Sequence, residues 1–166
     1  MNLPVFVSVA AHWLHLFAAV AWIGGLFFYL IILLPSFKNL DPVQATRLAQ
    51  IVAMRFRAVA VGSLGALLLT GLFLFNQILQ GVTNRAAFFG SPYGRVLAVK
   101  VALAVVAIGA GAGLGFVTAP RLVAAIEAHD EPRLRALGKT MGVLTGATFL
   151  LGLAITVCVA WLHVSA

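Results

Sequence analysis

From Leu3 to Leu34 the chain carries no Lys, Arg, Asp or Glu. A helix needs roughly 20 apolar residues to cross the hydrocarbon core of a bilayer. The run is long enough to span it, and too long for the roughly 7–15-residue apolar core of a cleavable signal. No basic segment precedes it either. Fully helical, it measures roughly 45 Å at 1.5 Å per residue, so it must tilt or project from the membrane. Two histidines, His12 and His15, stand inside it, with Trp22 seven residues after the second. Ionisable side chains are costly in a bilayer and by default mark a functional site.

The rest of the chain has the same character. Of 166 residues, 63% are hydrophobic and 9% charged, with a mean hydropathy of +1.09; soluble domains carry about 25% charged residues. An all-α integral membrane protein follows, with the lipid bilayer as its solvent. Four spans can be drawn, at about residues 3–34, 58–79, 96–118 and 140–163, forming one four-helix transmembrane domain over residues 1–166. The net charge of +7 does not imply nucleic acid, because the basic residues sit mostly in two loops between apolar runs. The single cysteine, Cys158, excludes an internal disulfide.

The first span ends at Pro35. Asp41-Pro42 reads as a helix cap with proline at the first helical position, and a short surface helix fits Gln44–Val52. Gly62, Ser63, Gly65, Ala66 and Thr70 give the second span small residues for close packing. Ser91-Pro92-Tyr93-Gly94 reads as a turn into the third span, which contains Lys100 and a glycine ladder including Gly111-x-x-x-Gly115. Segment Leu122–Ala128 is expected to extend that helix beyond the membrane. The fourth span has Gly142-x-x-x-Gly146 and Gly152 as packing positions.

Loops one and three together hold eight Lys and Arg, and loop two holds Arg85 and Arg95. Positive charge marks cytoplasmic loops, so both termini are expected outside, facing the periplasm of a bacterial inner membrane. His12, His15, His163, Arg95 and Lys100 then share the outer half of the bundle. His12 and His15, at i and i+3, share a helix face.

Two cofactor chemistries suit this set. A haem b on His15 would take a second axial ligand from His12, His163 or another helix. Arg95 would pair with a propionate, and Gly24, Gly25 and the third-span glycines would make room for the macrocycle. Alternatively copper accepts imidazole, thiolate and thioether donors, here His12, His15, Cys158 and His163. The methionines offer little, since Met54 and Met141 lie at the cytoplasmic ends of their spans. Plainer roles stand beside these. An intramembrane histidine can simply bond a neighbouring helix, His163 can be a solvated end, Lys100 can snorkel outward, and Cys158 can be a small core residue. No Asp or Glu occurs in any span, which argues against a carboxylate proton relay.

The stretch His15-Leu-Phe-Ala-Ala-Val-Ala-Trp22-Ile-Gly24-Gly25 resembles the first helix of the CopD family of copper-resistance membrane proteins. Ser91-Pro92-Tyr93-Gly94-Arg95 with Lys100 resembles its third-helix motif, and Arg55-Phe56-Arg57 is similar too. The resemblance implies a four-helix membrane domain for copper uptake or resistance. His15, Trp22 and Lys100 also resemble HemJ, a haem-b membrane protein that oxidises protoporphyrinogen. Gly24-Gly25 and the Pro-Tyr-Gly-Arg turn favour CopD. Three functions are therefore weighed: copper handling centred on His15, with His12 and His163 as further donors; a haem-b redox protein; and an accessory subunit of a larger membrane complex. A periplasmic copper or electron-transfer protein is the partner class implied by the first two.

Overall fold

A computed structural model describes residues 3–164, which are helical apart from short turns, with no strand among them. Helix α1 (Leu3–Phe28) passes through a π-helical turn (Tyr29–Leu33) into α2 (Leu34–Ser36) and a 3-10 turn. Then come α3 (Pro42–Gln80), α4 (Arg85–Gly90) and α5 (Pro92–Ala112). A second π-helical turn (Gly113–Thr118) joins α5 to α6 (Ala119–Glu127), and α7 (Glu131–Val164) closes the chain. Four stretches are long and apolar enough to cross a membrane: Pro4–Ser36, Met54–Gln80, Pro92–Glu127 and Glu131–Val164. The protein is an all-α, four-helix membrane protein.

The spans are longer than the sequence suggests, because Pro35 and Pro120 do not end their helices. A proline inside a helix lacks a donor and collides with the carbonyl four residues earlier. Those carbonyls belong to Ile31 and Phe116, and both lie inside the π-helical turns, whose wider backbone takes up the clash. The helix expected at Gln44–Val52 is not separate. It is the start of α3, since no proline follows Pro42 before Gln80.

The turns follow local chemistry. The Gln44 N–H donates to Asp41 Oδ1 at 3.0 Å, which is the expected cap. Helix α4 was not anticipated; its cap is Asn84, whose Oδ1 accepts from the Ala87 N–H at 3.0 Å. Ser91 opens α5 as expected. Its hydroxyl donates to the Phe88 carbonyl at 2.6 Å and accepts from the Gly94 N–H at 3.1 Å. A Cβ at Gly94 would collide with the Phe88 carbonyl, so the α4–α5 corner requires glycine there. The extension over Leu122–Ala128 forms as α6 and its C-cap. His129 follows in the left-handed region at φ 53°, and its N–H and that of Asp130 donate to Ile126 and Ala125, a Schellman end.

Helix α1 packs chiefly on α3, and α5 on α7, with α1–α7 and α6–α7 contacts completing the bundle. Trp22, Leu26, Ala60, Leu64 and Ala107 form the buried centre. Gly111 lies against Leu64 and Trp22, and Gly152 against Ile23, so these two act as the packing positions expected. Gly142 and Gly146 do not: a Cβ at either would meet nothing within 4 Å. Most other large apolar side chains face outward, Trp13, Leu16, Leu69 and Val143 among them. That is the surface lipid requires.

Candidate functional site

His15 is half-buried and turned towards α3, where its Nδ1 lies 2.8 Å from Thr70 Oγ1. The Thr70 hydroxyl has one proton, and it donates that proton to the Ala66 carbonyl of its own helix. The His15 Nδ1–H must therefore be the donor to Thr70. In the neutral ring this fixes the tautomer and leaves the Nε2 lone pair free. Gly71 makes the fit: a Cβ there would sit 3.4 Å from His15 Cε1. A hydroxyl acceptor and a glycine on consecutive residues of α3 thus seat one imidazole.

His12 lies one turn away and is exposed. Its Nδ1–H donates to the Ser8 carbonyl of the same helix at 2.9 Å, which also leaves Nε2 as the free nitrogen. Lys100 is half-buried, and its charge is felt at His15.

The other candidates stand apart. His163 is exposed at the end of α7. Among the described residues no three His, Cys, Asp or Glu side chains converge to hold a metal ion. Arg95 is exposed and folds back on its own helix, its Nε–H donating to the Ser91 carbonyl at 3.5 Å. Trp22 is 5% exposed and fills the bundle centre beside Gly111. On α1 the face below His15 continues as Ala18, Trp22 and Leu26, all buried, so a dry plug underlies the imidazole.

Of the glycines expected to clear a slot for a macrocycle, Gly24, Gly109 and Gly113 have no neighbour within 4 Å of a Cβ, and Gly25 and Gly111 are filled. The space at Gly25 is taken by the Phe56 ring, and that at Gly111 by Leu64 and Trp22. A partly open cavity of about 50 Å³ is lined by Trp22 and Leu26, and His15 is not in its lining.

Residues 50–162 match the family described as copper resistance protein D, CopD. The chain belongs to the CopD family. It is thereby a copper-related membrane protein. The matched stretch runs from within α3 to Leu162 of α7 and includes Thr70, Gly71, Ser91-Pro92-Tyr93-Gly94-Arg95 and Lys100. It leaves out His12, His15 and His163. No curated relative and no solved structure matches this CopD chain.

Proposed function

We propose that this CopD protein receives copper from the outer side of a bacterial inner membrane, with His15 Nε2 as the primary donor. The observation that carries the reading is the hydrogen bond from His15 Nδ1–H to Thr70. It holds the ring in one tautomer and one orientation, as partners of metal-ligating histidines do. Imidazole nitrogen suits copper in either common oxidation state. His12 supplies a second Nε2 on the adjacent turn, and together they offer two nitrogens to one ion. His163, at the same membrane depth, would meet the ion on its way in.

Copper is cargo in this account. The plug of Ala18, Trp22 and Leu26 stops an ion at His15 from continuing through the bundle, so the site receives and holds rather than conducts. The acidic residues, Asp41, Glu127, Asp130 and Glu131, all lie in loops or at helix ends, which favours a metal held by neutral donors. Lys100 adds positive charge beside His15, which weakens the hold on a cation and makes release easier.

Metal analysis and an optical spectrum of the purified protein test the reading together. The expected result is copper bound after equilibration with Cu(I), and no Soret band. A Soret band would replace copper handling with haem chemistry. A protein that binds neither and purifies in fixed ratio with a large complex would be an accessory subunit.

A further inference from the structure

A different region carries an inference independent of the copper reading. Arg57 is the last charged residue of α3 before the uncharged run 58–84, the place of a cation at the end of a membrane span. It is exposed and lines two cavities at once. One is the cavity lined by Trp22 and Leu26. The other is a lateral groove of about 490 Å³ between α3 and the α5–α6 segment, lined by Ala58, Val61, Phe116 and Pro120 among others, a size within the usual range for ligand pockets. Phe116 is 60% exposed and Met54 64%, so the groove opens on the outer surface of the bundle.

No Asp or Glu occurs between Asp41 and Glu127, and neither cavity has one in its described lining. The Arg57 stem runs over Gly115, where a Cβ would sit 3.8 Å from its Cγ. Gly115 and Phe116 belong to the π-helical turn Gly113–Thr118, and π-helical turns are frequent at functional sites. A guanidinium at the end of a membrane span, beside an apolar groove on the outer surface of the bundle, is complementary to one kind of molecule, an amphiphile with an anionic phosphate head and an acyl tail. Basic pockets between membrane helices on the cytoplasmic side bind acidic headgroups in this way.

We infer that the groove between α3 and the π-helical turn with α6 binds an anionic phospholipid, with its phosphate on Arg57 and an acyl chain along Ala58, Val61 and Phe116. The occupant comes from the leaflet at the N-terminal end of α3, the cytoplasmic one in the expected topology.

Native mass spectrometry of the detergent-solubilised full chain, titrated with phosphatidylglycerol or phosphatidylcholine, tests this. The wild type is expected to retain phosphatidylglycerol about fivefold better, the preference one arginine provides near a lipid surface. Arg57→Gln should level that preference, and Arg55→Gln should leave it intact. Ala58→Trp, at an exposed position, should fill the groove and lower phosphatidylglycerol retention with Arg57 still present, which keeps the test sound if Arg57→Gln folds poorly. Equal retention of the two lipids by the wild type would overturn the inference, as would an unchanged preference in Arg57→Gln. Equal losses in Arg55→Gln and Arg57→Gln would assign the effect to diffuse surface charge. Displacement of the lipid by inorganic phosphate would reassign the site to a free anion.

Discussion

His12 and His15 differ in fate although they sit on one helix three residues apart. Three residues turn the helix by about 60° short of a full circle, and α3 packs on one side of α1. His15 falls on that side and meets Thr70 and Gly71, while His12 falls towards the surface and bonds its own backbone. Thr70→Val is nearly isosteric and removes the acceptor for His15 Nδ1–H. Interhelical bonds of this kind average about 0.6 kcal/mol in a membrane, so the fold survives. Copper affinity is expected to fall roughly 10- to 100-fold, as it does when a partner of a metal-ligating histidine is lost. Thr70→Ser, which keeps the hydroxyl, should retain most of it. A chelator-competition titration of the two variants checks this. The histidine was legible in the sequence, because an ionisable group in an apolar run is conspicuous. Thr70 was read only as a small packing residue. A single threonine in an apolar helix has no periodic signal, and its role depends on which residue of α1 comes opposite.

At the level of elements, the contacts between α1 and α3 follow one register. Gln77 Nε2 donates to Ser8 Oγ at 2.8 Å, His15 bonds Thr70, and the Tyr29 and Phe56 rings lie 6.2 Å apart. Ser8, His15 and Tyr29 stand on one heptad series with Trp22, and Gln77, Thr70 and Phe56 run the opposite way on another with the buried Ser63. This is the spacing of left-handed helix pairs. It explains why Trp22, seven residues from His15, lies in the core and not beside the imidazole. The Ser91-Pro92-Tyr93-Gly94 turn was legible because capping and proline placement are local. Its need for glycine was not, since the obstruction is the carbonyl of Phe88 on α4, a helix the sequence reading lacked. Gly94→Ala should cost at least about 1–3 kcal/mol, the usual range for overpacking, read as an earlier midpoint in detergent unfolding. Wild-type stability in that variant would contradict the corner geometry. The two prolines taught the opposite lesson: they read as helix ends, and π-helical turns carry the helices past them.

For the molecule as a whole, four spans bring both termini to one side, and the distribution of Lys and Arg points that side outward. A phosphatase fused after Ala166 should be active and a fluorescent protein there dark. The reverse would put His15 and His12 in the cytoplasmic half and turn the direction of copper entry around. The spans, their order and the CopD assignment were all readable from hydropathy and a few short motifs. The lateral groove at Arg57 was not, because it arises where a π-helical turn on one span meets an arginine on another. The same limit applies to the proposed copper site, where Thr70 meets His15 only through the α1–α3 register. His15 Nε2 is the proposed copper donor, and a Cu(I) titration against a competing chelator, comparing wild type with His15→Ala, tests that most directly. The prediction is a loss of at least about 100-fold in affinity, roughly 2.7 kcal/mol. Unchanged affinity in a folded His15→Ala protein would contradict it.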